Sequence, residues 1–141
     1  MTFTCGEIMT PRPMCCSASD SARKAAELMR DEDVGPIPVL DGDRKLIGIV
    51  TDRDLVLNVL ARGLDAEDTK VSHAMTNDPV SCKEDEAIED AMEKMGTYQI
   101  RRLPVVDSSG HVVGIIAQAD IATRIQDPEV AGEVVQQVSK D

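Results

Sequence analysis

Met9-Thr10-Pro11-Arg12-Pro13 is answered sixty-six residues later by Met75-Thr76-Asn77-Asp78-Pro79. The same offset carries Pro38-Val39-Leu40-Asp41 onto Pro104-Val105-Val106-Asp107, and Gly48-Ile49 with Asp54 onto Gly114-Ile115 with Asp120. No residue is inserted or lost between these landmarks. A fixed period of this kind marks a repeated structural unit that buries its apolar face by stacking on a copy. Two near-equivalent halves face to face would also enclose a cleft, and that cleft is the expected place for a function.

Outward from the landmarks, each copy reads as strand, helix, strand, strand, helix. Ile8 to Met14 is extended, because Pro11 and Pro13 exclude helix. Ala22, Ala25, Ala26 and Met29 then recur at helical spacing, with Arg23, Lys24, Glu27 and Arg30 on the opposite face. The copy of that stripe is Ile88, Ala91, Met92 and Met95. Ser19 or Asp20 suits the cap of the first helix, and Asp85 or Glu86 the start of the second. Ile37 to Leu40 and Leu46 to Val50 flank the turn at Asp41-Gly42-Asp43, and their copies flank Asp107-Ser108-Ser109-Gly110, so both read as hairpins. Helices follow from Asp52 to about Arg62, where Gly63 is a stop, and from Gln118 to about Ile125. The predicted fold is α/β, with repeats over 5–64 and 75–126 joined by a polar connection over 65–74 and packed through their sheets into one module. A carboxy-terminal helix over 127–141 would carry Val130, Val134, Val135 and Val138 as its stripe.

At 141 residues the chain fits one compact domain, or two half-sized units sharing a core. Phe3 and Tyr98 are the only aromatic residues, so the core is aliphatic and methionine-rich and lacks stacking platforms for single-stranded nucleic acid. A formal charge of −11 repels polyanions and disfavours nucleic-acid binding, although Arg53 and Arg101-Arg102 could form local basic patches. Cys5, Cys15, Cys16 and Cys82 have neither C-x-x-C nor zinc-site spacing, and His73 and His111 stand far apart. No metal and no required cofactor is expected. Cys16 and Cys82 occupy equivalent positions, which symmetric packing would bring close; small buried hydrophobes are the plainer reading. With no signal-peptide pattern and no apolar run near the ~20 residues of a membrane span, the expectation is a soluble cytoplasmic protein.

Paired units with Met-Thr-x-x-Pro, Pro-Val-x-Asp and a Gly-h-h-Thr-x-x-Asp helix start resemble tandem CBS domains, the cystathionine-β-synthase-type repeats that pair into a Bateman module. The resemblance runs from about Cys5 to Gln126, and the short stand-alone architecture resembles the bacterial hypoxic-response protein group. It implies an αβ sandwich with two pseudo-symmetric clefts for an adenosine-containing ligand: AMP, ADP, ATP or S-adenosylmethionine. It also implies association of two modules into a disc-like homodimer. On this reading the chain is a sensor whose ligand shifts the arrangement of repeats or subunits and alters a protein target. The alternative is a ligand-free scaffold or interaction protein with vestigial clefts. No histidine–carboxylate–nucleophile order, metal cluster or Gly-x-x-x-x-Gly-Lys loop points to an enzyme.

Within Gly48-Ile49-Val50-Thr51-Asp52-Arg53-Asp54, Thr51 falls at a helix start and Asp54 one turn further in. Unpaired amides and a hydroxyl at a helix start suit a phosphate, and an ionised carboxylate accepts bonds from ribose hydroxyls. Thr-x-x-Asp is equally a form of the capping box, and both roles can coexist. The copy keeps Asp120 but has Ala117 in place of the threonine. It also carries Arg101-Arg102, where family members present a basic residue to phosphate; the first repeat has Gly35-Pro36 there. A solvated surface or a dimer salt bridge would explain those arginines as well. Met14, Ile37, Val80, Ile100 and Leu103 are candidates to sandwich an adenine ring, with core packing as the competing reading. Two unequal sites are expected.

Overall fold

The computed structural model describes residues 3–124; the expected carboxy-terminal helix over 127–141 lies outside them. In chain order the first half runs α1 (Cys5–Ile8), β1 (Thr10–Pro11), β2 (Cys16–Ser17), α2 (Ala22–Glu32), β3 (Ile37–Leu40) and β4 (Leu46–Val50). Then come α3 (Asp52–Leu55), which runs on as a π-helical turn over Val56–Leu60, α4 (Val71–Ala74) and β5 (Thr76–Asn77). The last part is β6 (Cys82–Lys83), α5 (Ile88–Tyr98), β7 (Arg102–Val106), β8 (Val112–Ala117) and α6 (Gln118–Arg124). These fall into two compact units, a central one over residues 14–79 and a terminal one that joins residues 3–13 to 80–124.

In the central unit the sheet order is β2-β3-β4-β5, parallel between β2 and β3 and antiparallel across the rest. The terminal sheet runs β6-β7-β8-β1 with the same pattern of directions. The Met-Thr segments therefore pair with the hairpin of the other sequence repeat: Thr10 lies opposite Ile115, and Thr76 opposite Ile49. The single extended segment expected from Ile8 to Met14 is corrected on this point. Ile8 closes α1, β1 serves the terminal sheet, and β2 beyond Pro13 serves the central one.

The helices form for the reasons their spacing gives, with some changes at the ends. Ala22, Ala25 and Met29 of α2 are buried, whereas Ala26 is exposed; in α5 all four stripe residues are buried. The cap of α2 is Ser21, whose hydroxyl accepts from the Lys24 amide at 3.1 Å. Asp20 is drawn back instead to the Ser17 amide at 2.9 Å. The start of α5 is Ala87, with no side-chain cap, because the Glu86 carboxylate accepts from the Lys83 amide at 3.2 Å. Both helices end on a left-handed residue, Asp33 or Gln99, and the next amide returns to Met29 or Met95 at 3.1 and 3.0 Å.

The stretch over 65–74 is part of the packing. Ala22 donates to the Thr69 carbonyl at 2.7 Å and Arg23 to the Ala66 carbonyl at 3.1 Å, so two of the amides that open α2 find backbone partners there. Val71 and Ala74 are buried behind them. Residues 3–8 do the same for α5, with Ile88 donating to the Phe3 carbonyl at 2.8 Å. The cores are separate and aliphatic. Ile37, Val39, Val50 and Val71 are fully buried in the central unit; Ile8, Ile88, Leu103, Ile116 and Ile121 are buried in the terminal one. Each such side chain contributes about 1.5–3 kcal/mol by leaving water.

The hairpin turns repeat atom for atom. One carboxylate oxygen of Asp41 accepts from the amides of Asp43 and Lys45 at 2.8 and 3.0 Å. Asp107 accepts from Ser109 and His111 at 2.9 and 3.0 Å, and those amides hold its carboxyl below the usual range. The aspartate of Pro-Val-x-Asp is therefore a turn residue.

Candidate functional site

Each candidate site is built where the hairpin's second strand becomes a helix. In the central unit, β4 ends at Val50 and Thr51 caps α3. The Thr51 hydroxyl accepts from the Asp54 amide at 3.0 Å, and Oδ2 of Asp54 accepts from the Thr51 amide at 3.0 Å. The capping box read from Thr-x-x-Asp is thus present, and it uses one carboxylate oxygen. Among the described residues nothing donates to Oδ1 of Asp54. Both side chains are half-buried, while Asp52 and Arg53 are exposed. Gly35 borders this junction: a side chain there would come within 3.4 Å of Oδ1 of Asp52.

In the terminal unit β8 ends at Ala117 and α6 opens at Gln118. Oδ2 of Asp120 accepts from the Ala117 amide at 3.0 Å, the same backbone bond without the reciprocal hydroxyl. A different threonine reaches the carboxylate instead: the Thr10 hydroxyl donates to the same oxygen at 3.4 Å, a bond of opposite direction to the one Thr51 accepts. Thr10 is the residue that sequence reasoning missed. It was visible as half of the Met-Thr landmark, but its partner lies 110 residues away. Oδ1 of Asp120 again has no donor among the described residues.

The arginines sit where the repeat comparison puts them. Arg102 lies opposite Ala117 in the β7–β8 register, and the Arg101 carbonyl accepts from the Gln118 amide at 2.9 Å. This fixes both beside the start of α6, with Arg101 exposed and Arg102 half-buried. No carboxylate among the described residues forms an ion pair with Arg53, Arg101 or Arg102.

The apolar candidates divide. Met14 is 45% exposed, beside β2. Val80 and Ile100 are partly buried against the terminal core. Ile37 and Leu103 are completely buried and serve as core; Ile37 lies opposite Val50, next to Thr51. Within the central unit the structure thus places Met14, Ile37, Thr51, Arg53 and Asp54; within the terminal unit it places Val80, Ile100, Arg101, Arg102 and Asp120.

Two surface hollows lie elsewhere. One of about 190 Å³ runs between α2 and the π-helical turn, lined by Leu55, Val59, Leu60 and Leu64 among others. The other lies on the outer face of α5, with Glu86, Asp90, Lys94 and Tyr98. Among the described residues no three His, Cys, Asp or Glu side chains gather as a metal-holding group, and no helix is long and apolar enough to cross a membrane.

The family model of the CBS domain matches residues 5–61 and 71–127. Hypoxic response protein 1 of Mycobacterium tuberculosis is 32% identical over 122 residues, which are 86% of this chain and 85% of that protein. The crystal structure of Arabidopsis thaliana CBSX2 in complex with AMP aligns with a TM-score of 0.76 at 31% identity, over 89% of this chain and 99% of that one. The CBS domain pair of protein MJ0100, in complex with 5′-methylthioadenosine and S-adenosyl-L-methionine, gives a TM-score of 0.76 at 27% identity, over 89% and 98%.

Proposed function

The chain belongs to the CBS domain family, and from that premise we propose that it is a regulatory module that binds an adenosine-containing ligand and transmits binding as a conformational change. AMP, ADP, ATP and S-adenosylmethionine are the ligands in view. One observation carries the reading. At both strand-to-helix junctions a half-buried aspartate spends one oxygen on the backbone beside the helix start, while its other oxygen has no donor among the described residues. An open carboxylate oxygen in that position suits a ribose hydroxyl. The Thr51 hydroxyl at the helix start, or Arg101 and Arg102, which form no ion pair among the described residues, suit a phosphate. Solved relatives of similar fold bind AMP in one case and 5′-methylthioadenosine with S-adenosyl-L-methionine in another. The chain's role is then binding without turnover, in the cytoplasm.

A thermal-shift panel of AMP, ADP, ATP, S-adenosylmethionine and NAD tests it. Ligand at a hundred times its Kd stabilises by about 2.7 kcal/mol, a rise of roughly 2–8 °C for a chain of this size. Asp54→Ala should abolish the shift if the central unit holds the ligand, and Asp120→Ala if the terminal one does. A shift that survives both changes overturns the site assignment. No shift from any of these compounds at millimolar concentration overturns the adenosyl reading, and conversion of the ligand would make the protein an enzyme.

A second copy of the chain is the proposed protein partner. Val56, Leu57, Leu60 and Leu64 are 50, 47, 74 and 48% exposed, and Val56, Leu60 and Leu64 line one hollow of the central unit. The copies of the first two are Ala122 and Thr123, so the fold itself does not require large apolar side chains there.

A further inference from the structure

Asp33, Gly35, Pro36 and Asp52 have as their copies Gln99, Arg101, Arg102 and Gln118. Every one of these exchanges moves charge in the same direction. The terminal copy gains two guanidiniums and holds neutral amides where the central copy has two carboxylates. Within 33–36 and 51–54 only Arg53 runs the other way, with Ala119 as its copy. The backbone frames match. Asp33 and Gln99 are left-handed at φ of 53° and 56°, and Asp54 and Asp120 each hold the amide at the strand end at 3.0 Å. The charges therefore differ on equivalent scaffolds. In the central unit a side chain at Gly35 would meet Oδ1 of Asp52 at 3.4 Å, so a carboxylate stands beside the place where the copy carries an arginine. In the terminal unit Arg101 is tied at that place by its carbonyl, which accepts from the Gln118 amide at 2.9 Å. No carboxylate among the described residues pairs with Arg101 or Arg102.

We propose that the two units divide adenosine-containing ligands by the charge of the 5′ substituent. The terminal unit takes a 5′-phosphate; Asp52, beside Gly35, bars that anion from the central unit, which takes a ligand whose 5′ group is neutral or cationic. The inference rests on the adenosyl reading of both junctions and adds their selectivity. Guanidiniums that no carboxylate has neutralised attract a phosphate and bond it with charge assistance. Asp52 and Asp54, within one helical turn of each other, repel it. The Thr51 hydroxyl does not reverse that sign. It is one neutral donor against two charges, and its oxygen already accepts from the Asp54 amide. Arg53 is exposed and offsets only one of the two. Discrimination of this kind acts through half-buried and exposed groups, so added salt weakens it.

Isotope-labelled full chain, titrated at low salt with adenosine, AMP or S-adenosylmethionine, reveals each ligand's place by its amide shifts. AMP should move Arg101, Arg102, Gln118 and Asp120 at concentrations that leave Thr51 and Asp54 in place. S-adenosylmethionine, whose 5′ sulfur is a sulfonium, should do the reverse. In the terminal unit AMP should bind at least about tenfold more tightly than adenosine. High salt, or Arg101→Gln with Arg102→Gln, should bring AMP down to the affinity of adenosine. Gly35→Arg with Asp52→Gln gives the central unit the charges of its copy and should draw AMP to Thr51 and Asp54. If a variant does not fold, the wild-type titrations and their salt dependence decide. AMP that moves both sets of amides equally, or whose affinity ignores salt, overturns the division and leaves the adenosyl reading standing. Shifts from none of the three ligands overturn both.

Discussion

Gly48 and Gly114 show how single positions hold this architecture. A methyl group built on Gly48 would sit 2.5 Å from the Met75 sulfur and 3.0 Å from the Thr76 carbonyl oxygen. On Gly114 it would collide with the Met9 side chain. The repeated methionine and the repeated glycine are two halves of one contact, which explains why both recur at the same offset. Gly114→Ala should cost about 1–3 kcal/mol by overpacking, read as a lower urea midpoint with an unchanged slope. At this scale the sequence was legible wherever the partner is near. The Thr51–Asp54 box spans three residues and was read directly. Thr10 meets Asp120 only through the fold, and Ser21 took the cap that Asp20 could have held because Asp20 had a nearer amide in Ser17.

Elements repeat their backbone even where their residues differ. Left-handed conformations recur at Arg12 and Asp78, at Asp33 and Gln99, and at Arg44 and Gly110. Only the last pair uses glycine in one copy. Arg44 has φ of 64° in the hairpin turn, where a Cβ is disfavoured, whereas Gly110 adopts φ of 88° without that cost. Arg44→Gly should therefore stabilise the central hairpin by about 0.5–1 kcal/mol, measured as a rise in the urea midpoint. Hairpins and long helices were legible because four or more apolar residues in register carry a period. The two-residue strands β1, β2, β5 and β6 and the single-turn helices α1 and α4 carry none. Their pairing is decided by the sheets they complete, which is why one extended segment was expected where a helix and two strands stand.

For the whole molecule, the repeat disclosed two similar halves, but not which half each Met-Thr segment completes. The sequence offset is blind to that exchange, because either pairing keeps the same period. The apolar face of the central unit also belongs to this scale. If it is covered by a second copy, Leu60→Asp should convert a dimer to a monomer in light scattering without changing the far-ultraviolet circular dichroism, since Leu60 is 74% exposed in the single chain.

The central unit is, topologically, an insertion into the terminal one. All of its strand pairings close within residues 14–79, while the terminal sheet waits for Thr10 to meet Ile115. On the ribosome the two cannot be finished in the order in which they begin. The central unit can be complete once residue 79 has emerged, yet Met9 stays without the glycine it covers until about a hundred more residues have followed it. Met9 and Thr10 are thus made before the central unit yet settled after it, and they spend that interval without the partners that β8 will supply.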